Sequence, residues 1–233
     1  EGVEAEWDKD QGKYKIYPTY RKEISGNDIG VWFSYDTKPG ETIYVQTGVS
    51  FVSEENALLN LTTEQPKLDF AAVRRAAEDS WEKALRVVEV EGGTTDQRKI
   101  FYTALYHLLI HPNILQDVNG QYPMMGSLQT ATTKHDRYTV YSLWDTYRNV
   151  HPLLSILYPR KQLAMVETML DMYKEGGWLP KWELYGQETF TMEGDPSIIV
   201  INDTWQRGIR DFDTKLAYEA MLKGATTPGK DNK

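Results

Sequence analysis

The hydrophobic pattern of the chain changes its period near Asp69, and this change constrains the fold more than any other feature. Before it, runs rich in β-branched and aromatic residues stand between turn signals, as strands do. After it, apolar residues recur at the three- and four-residue spacing of helices. A run of strands followed by a run of helices indicates separate layers or domains rather than βαβ winding. The sequence therefore predicts an α+β fold.

Four segments of the first part have the composition of strands, which would suit one sheet of a sandwich. They are residues 13–20, 29–36, 42–53 and 57–64. We expect the boundary between the strand part and the helical part near residues 63–69.

Helices are predicted from apolar stripes and end signals. The first begins at Asp69 and is expected to end at the glycine pair 92–93. The second begins at a capping box of Thr94 and Gln97 and ends before Pro112. Later helices are predicted over 142–151, 160–174, 196–207 and 214–223, the last capped by Asp213 and ended by Gly224.

Composition excludes several classes of protein. The 233 residues have a formal charge of −8, with 26 basic and 34 acidic side chains and no basic stripe, so a nucleic-acid partner is not expected. No apolar stretch approaches the roughly 20 residues of a membrane-spanning helix. The absence of cysteine excludes thiolate catalysis and cysteine-ligated zinc. It leaves the redox compartment undecided, although exported bacterial proteins are often poor in cysteine. Our expectation is a periplasmic or extracellular protein, with surface attachment as an option.

The segment SLWDTYRNVH places Trp144, Arg148 and His151 one turn apart on one face of the predicted helix. Asp145 and Arg148 are helical neighbours three residues apart. This arrangement could form the wall of a polar pocket. Taken alone, it is more typical of an amphipathic helix with a structural Asp–Arg pair and a half-buried tryptophan.

A long irregular loop follows the helix-breaking cluster Gly-Gly-Trp-Leu-Pro at residues 176–180. Its aromatic and acidic side chains are Trp178, Trp182, Glu183, Tyr185, Glu188, Glu193 and Asp195. Aromatic faces pack on the C–H faces of sugars, and carboxylates bind sugar hydroxyls. A carboxylic acid in an apolar pocket also has the raised pKa that protonation of a glycosidic oxygen requires. The loop therefore suggests sugar chemistry, although Glu193 and Asp195 would suit a solvated acidic loop equally well.

Five segments resemble, in this order and spacing, glycoside hydrolase family 92, the calcium-dependent α-mannosidases of bacteria. They are FYTALYHLLIHPN, YSLWDTYRNVHPLL, MLDMYKEGGWLPKWEL, QETFTMEGDPS and GIRDFDTKLAYEAM. The resemblance implies an N-terminal β-sandwich packed on an (α/α)6 helical toroid and inverting hydrolysis of α-mannosides, of the α-1,2 type, in mannose-containing glycans. It divides the chain into the end of the sandwich (1–65), a linker helix (66–93) and the first part of the toroid (94–233).

The family's site residues carry over onto matching positions. The proposed general acid, the glutamate of the family's Glu-Thr motif, falls on Glu188, and the family's Trp-Asp-Thr-Tyr-Arg segment, which lines the sugar site, falls on Trp144, Asp145 and Arg148. Trp182 is a further expected sugar contact. The chain departs from the family in one place. Many relatives read Met-Ile-Gly followed by a histidine-containing segment, whereas this chain has Met-Glu-Gly-Asp-Pro. Glu193 is therefore a candidate for substrate binding and an alternative to Glu188 as the general acid.

The family's general base and calcium ligands have no counterpart that we find in this sequence, so no metal ligand is predicted here. An inverting glycosidase needs a second carboxylate roughly 6.5–9.5 Å from the acid. We therefore expect a portion of the enzyme, nearly inactive alone, with calcium held by residues outside it. Two alternatives remain. One is a non-catalytic carbohydrate-binding helical module. The other is a mannosyl-phosphate hydrolase, in which a good leaving group reduces the need for an acid, and Glu188 argues against it.

Overall fold

A computed structural model describes the backbone of residues 2–8, 13–18 and 29–228 and the side chains of residues 30 and 32–228. The chain divides into two compact units, Glu1–Tyr44 and Val45–Lys233. Each unit is described by itself below.

The first unit contains a three-stranded antiparallel sheet in the order β2–β1–β3. Its strands are β1 (Gly2–Asp8), β2 (Lys13–Pro18) and β3 (Ile29–Phe33). The register pairs Val3 with Pro18 on one side and with Trp32 on the other. The strand predicted over 13–20 is thus confirmed for its described residues, and the strand predicted over 29–36 is confirmed for 29–33 only.

The two later strand predictions are wrong. Residues 34–53 form neither strand nor helix, and the segment predicted as the fourth strand belongs to helix α1 (Glu54–Glu64). Ser53 caps this helix by accepting the Asn56 amide N–H, and Glu54 lies at the positive end of the helix dipole. These end signals outweigh the β-propensity of the segment.

Two of the predicted helix starts are confirmed by their caps. The side chain of Asp69 accepts from Ala72 N–H at the start of α2 (Phe70–Leu85), and Thr94 and Gln97 form the capping box of α3 (Thr95–Leu108). Helix α2 ends seven residues before Gly92 because the following segment folds onto α3. There the hydroxyl of Tyr102 donates to Val88 O and accepts from Val90 N–H.

Short antiparallel strands separate α3 from the later helices. The pairs are β4 with β7 and β5 with β6, while β8 joins β9 and β10 in a three-stranded sheet. Their bounds are β4 Asn113–Ile114, β5 Gln121–Pro123, β6 Thr130–Thr132, β7 Tyr138–Thr139, β8 Tyr141–Ser142, β9 Trp182–Leu184 and β10 Gln187–Glu188. The described strand pairs are all antiparallel, as a mixed strand-and-helix fold without βαβ units requires.

The helix predicted over 142–151 is in fact two helices, α4 (Leu143–Thr146) and α5 (Val150–Leu157). The reason is Pro152, whose ring would clash with the carbonyl of Arg148 in a continuous helix. The remaining helices are α6 (Pro159–Gly176), α7 (Pro196–Gln206) and α8 (Thr214–Thr226).

Helix α6 is the centre of the core and packs against α5, α7 and α8. It ends at Gly177, whose φ of 81° is the left-handed conformation that favours glycine. Asp213 caps α8 as predicted, but the helix continues past Gly224. The buried apolar side chains of this core include Tyr141, Leu143, Leu154, Met165, Val166, Met169, Leu170, Met172, Val200 and Ile201.

Candidate functional site

The sheet of β8, β9 and β10 brings together the two segments that the sequence singles out. Ser142 pairs with Trp182, and Glu183 pairs with both Tyr141 and Glu188. Because α4 begins directly after Ser142, its first residues lie beside the β9–β10 hairpin. Segments forty residues apart therefore share one small sheet.

The hairpin turn depends on two residues with positive φ, Tyr185 at 49° and Gly186 at 82°. Two consecutive residues in this region are what a two-residue type I′ turn needs, and glycine at the second position is the preferred choice. The turn sets the register that places Glu188 opposite Glu183.

Glu183 is completely buried beneath this sheet, and no role for it is predicted from the sequence. Its carboxylate accepts hydrogen bonds from Thr139 Oγ1, Val140 N–H and Gly186 N–H at 2.6–3.1 Å. Burial raises the pKa of Glu183, against the lowering effect of these donors. It therefore anchors the hairpin to β7. The order Trp-Glu-Leu is the sequence signal that could have predicted this burial. Successive side chains of a strand point to opposite faces, so Glu183 lies on the face opposite to Trp182 and Leu184.

Glu188 is half-buried, and its carboxylate accepts three backbone N–H groups. Oε1 accepts from Trp182 at 2.9 Å and Phe190 at 2.9 Å, and Oε2 accepts from Lys181 at 2.7 Å. A carboxylate offers about four acceptor positions, so one position on Oε2 remains. Glu188 thus fixes the loop around it and keeps one lone-pair direction for another group.

Arg148 lies over two aromatic rings. Its guanidinium carbon is 4.9 Å from the ring centroid of Trp144 and 4.8 Å from that of Tyr147. Asp145 accepts instead from the hydroxyl of Ser142, and among the described residues it forms no ion pair with Arg148. The structural Asp–Arg pair considered from the sequence is therefore wrong, and Arg148 is held by cation–π contacts.

His151 does not lie on the same surface as Trp144, so the prediction that the two share one helix face is wrong. It is 1% exposed in the core between α5 and α6, where Nδ1 bonds to Gln162 Oε1 at 3.0 Å. Burial lowers the pKa of His151 to about 4. The break between α4 and α5 rotates it away from the candidate site.

The loop 193–195 passes Trp144. A Cβ built on Gly194 would lie 3.6 Å from Cζ3 of Trp144, while Glu193 is exposed. Asp195 is partly buried, and burial raises the pKa of its carboxyl group, with Lys181 acting against this effect. The structure therefore brings Trp144, Trp182 and the loop carrying Glu193 into one neighbourhood, with Arg148 at its exposed side.

Two further observations concern metals and membranes. Among the described residues, no three histidine or carboxylate side chains gather as a metal-binding group. None of the helices in the same residues combines the length and apolar character that a membrane crossing requires.

The chain is similar to proteins of known family. It matches the model of the glycosyl hydrolase family 92 catalytic domain over residues 56–233. A protein of Arthroderma benhamiae named "uncharacterized secreted glycosidase" is 30% identical over 188 residues, which are 78% of this chain and 20% of that protein.

Solved structures give the same result. A family GH92 α-mannosidase from Bacteroides thetaiotaomicron has 32% identity and a TM-score of 0.84, over 98% of this chain and 31% of that one. An inverting GH92 mannosidase from the same bacterium has 30% identity and a TM-score of 0.74, over 78% of this chain and 25% of that one. The chain thus spans less than a third of the length of these relatives. Since the family model matches more than half of its residues, the chain belongs to glycosyl hydrolase family 92.

Proposed function

We propose that the protein to which this chain belongs hydrolyses α-mannosides in mannose-containing glycans with inversion at the anomeric carbon. Family membership supports the proposal, as do the names of two relatives, one an α-mannosidase and the other an inverting mannosidase. The observation that carries it to particular residues is the β8–β9–β10 sheet, which joins Trp182 and Glu188 to the segment bearing Trp144.

Glu188 is the proposed general acid. A general acid must present one protonated oxygen to the leaving glycosidic oxygen, and the remaining acceptor position on Oε2 is the place for that proton. The three amide N–H groups hold the carboxyl group in a fixed orientation, which favours catalysis by positioning.

The sugar-binding roles follow from the side chains nearby. Trp144 and Trp182 are proposed to pack on the C–H faces of the sugar, because both rings are partly exposed. Asp145, Arg148 and Glu193 are exposed and are proposed to bind hydroxyl groups. Arg148 is held in place for this role by its two aromatic neighbours.

The described residues do not fit a calcium site. The carboxylate of Glu188 is surrounded by N–H donors, which repel a cation, and the carboxylate of Asp145 bonds to Ser142. We therefore propose that both the calcium ligands and the general base come from parts of the enzyme outside this chain. We also propose a periplasmic or extracellular location, with surface attachment as an option, supported by the relative named a secreted glycosidase.

We also propose the arrangement of domains that membership of the family implies. Within residues 1–65, the strands β1–β3 would belong to the end of a β-sandwich, while 66–93 would contain the linker helix α2 and 94–233 would begin the (α/α)6 toroid. The antiparallel sheet of β1, β2 and β3 and the packed helices α5–α8 support this arrangement.

A second candidate is a non-catalytic carbohydrate-binding module. The observation that favours it is the set of three backbone N–H groups that donate to Glu188, because a carboxylate bound in this way can also serve only to hold the loop in place. In that case the same tryptophans would bind sugar without hydrolysis.

The test is hydrolysis of an α-mannobioside by the whole enzyme, followed by proton NMR. We expect β-mannose as the first product, loss of activity with EDTA, and recovery with calcium. Initial release of α-mannose would contradict inversion, and full activity in EDTA would contradict the calcium proposal. Binding of the disaccharide without any turnover would favour the non-catalytic module.

A further inference from the structure

A cleft of about 720 Å³ lies next to the candidate site, between α1, the coil before it, and the segments around β4 and β7. Its volume falls within the range of roughly 300–1,000 Å³ typical of small-molecule sites. Phe51 lines the cleft and stacks on Tyr185 with ring centroids 4.9 Å apart and an interplanar angle of 19°. Because Tyr185 forms the β9–β10 turn, this stack links the cleft to the hairpin that carries Glu188.

The floor of the cleft is the buried carboxylate of Asp117, which bonds to neutral donors only. Oδ2 accepts from Ser50 Oγ at 2.7 Å and Asn56 Nδ2 at 2.8 Å, and Oδ1 accepts from Asn60 Nδ2 at 2.7 Å. These donors point their hydrogens at both carboxylate oxygens. A cation bound there would have to displace them, so the floor disfavours a metal ion.

The charges around the cleft disfavour an anion. Glu64, Asp117 and Asp136 contribute three carboxylates to its lining, against one lysine, Lys134, and His135. The imidazole of His135 is already bonded to Asp171 at 2.9 Å. A ligand with negative charge would meet an excess of like charge. A neutral ligand meets neither of these two obstacles.

Uncommitted polar groups define the chemistry of that ligand. Among the described residues, the ammonium of Lys134 and the carboxylate of Asp136 have no hydrogen-bond or ion-pair partner. The side chain of Gln116 accepts a hydrogen bond from Arg137 N–H through Oε1, and its amide nitrogen donates to none of the described residues. Hydrogen-bond donors and an acceptor therefore face the cleft beside the ring of Phe51, which is 53% exposed. A sugar presents this combination of hydroxyls and an apolar C–H face.

We propose that the cleft binds a neutral saccharide unit, on the leaving-group side of the glycan that is hydrolysed at the Trp144–Glu188 site. Phe51 is the packing surface, and Gln116, Lys134 and Asp136 bind hydroxyl groups. This inference rests on the proposed function, because it assigns the cleft to the same substrate. The Phe51–Tyr185 stack is the bridge along which the glycan passes from the cleft to the hairpin.

The test is an NMR titration of the 15N-labelled protein with methyl α-mannoside and with a thio-linked α-mannobiose, which is not hydrolysed. The monosaccharide is expected to shift amide signals around Trp144 and Trp182 only. The disaccharide is expected to shift those signals and also signals of Gly48, Phe51 and Lys134. Phe51→Ala should weaken disaccharide binding about tenfold and leave monosaccharide binding unchanged.

Two variants control this result. Tyr218→Ala removes an aromatic side chain that is 65% exposed on α8, outside the cleft, and should bind the disaccharide like the parent protein. Lys134→Ala alters the rim without touching the Phe51–Tyr185 stack and should weaken disaccharide binding about threefold. It therefore tests the cleft even if Phe51→Ala disturbs the fold.

The inference would be overturned if the disaccharide shifted only the amide signals that the monosaccharide also shifts. It would also be overturned if neither sugar bound. Cleft signals that respond to calcium chloride in place of sugar would also overturn it. The proposed function is decided separately, by hydrolysis in the whole enzyme. An active mannosidase whose cleft gives no response thus refutes the cleft alone.

Discussion

Arg137 and Glu175 form a buried bidentate ion pair, with Nη1 to Oε1 at 3.2 Å and Nη2 to Oε2 at 2.8 Å. The Arg137 side chain is 0% exposed and that of Glu175 is 7% exposed. Glu175 also accepts from the hydroxyl of Tyr122 and from Met125 N–H, and the guanidinium lies over the Tyr122 ring at 4.4 Å. The pair thus ties α6 to β5 and to Arg137, the residue that precedes β7.

Glu175→Gln should lower the free energy of unfolding by about 3–5 kcal/mol, because it leaves the Arg137 charge buried without its counter-ion. Urea denaturation measures the effect. The matched control is Glu78→Gln, which breaks the exposed Arg74–Glu78 pair, with side chains 69% and 58% exposed, and should change stability by less than about 0.5 kcal/mol. Equal effects of the two substitutions would show that burial does not govern the strength of the pair.

His151 predicts a pH dependence of stability. Its pKa is lowered from 6.5 to about 4 by burial, so between these values the unfolded chain binds a proton that the folded chain does not. The stabilisation is complete above pH 6.5 and is lost as the pH falls towards 4, by about 3 kcal/mol in total. His151→Gln should remove this part of the pH dependence. His111→Gln, which changes an exposed histidine, should keep it. Parallel stability curves for the parent and His151→Gln would contradict the assignment.

Glu188→Gln in the whole enzyme should lower the hydrolysis of mannosides with poor leaving groups by about 10²–10⁴-fold. Aryl mannosides with activated leaving groups should be spared, because their departure needs little protonation. The amide of the new side chain would face at least one backbone N–H donor, so the melting temperature must be measured alongside the rates. Glu89→Gln, at an exposed position outside the proposed site, is the matched control with small expected effects. An equal loss on both substrates would exclude Glu188 as the acid and make Glu193 the residue to test.

Gly48→Ala should destabilise the protein by about 1–3 kcal/mol, because the new Cβ would lie 2.2 Å from the backbone carbonyl oxygen of Ala57 in α1. A backbone atom within a helix cannot move aside as a flexible side chain can. Gly30→Ala, where a Cβ meets no side chain or backbone atom of the described residues within 4 Å, should be nearly neutral. The comparison uses urea midpoints of the two variants. A neutral Gly48→Ala would mean that the coil before α1 adapts freely.

The sequence by itself determined the features that depend on a few neighbouring residues. The caps at Asp69, Thr94 and Asp213 begin helices where predicted, because each cap is a contact within three residues. The breaker cluster at 176–180 likewise ends α6 at its left-handed glycine. The five family segments were also recognisable as sequence, and the family assignment agrees with them.

Only the tertiary structure decided the features that depend on distant partners. Residues 57–64 are helical, and the amide of Asn60 bonds to Asp117, which lies 57 residues away. Glu183 is an anchor because Thr139, 44 residues earlier in the chain, donates a hydrogen bond to it. Periodicity records which face of an element is apolar, but a buried carboxylate is stabilised by groups that come from elsewhere in the chain.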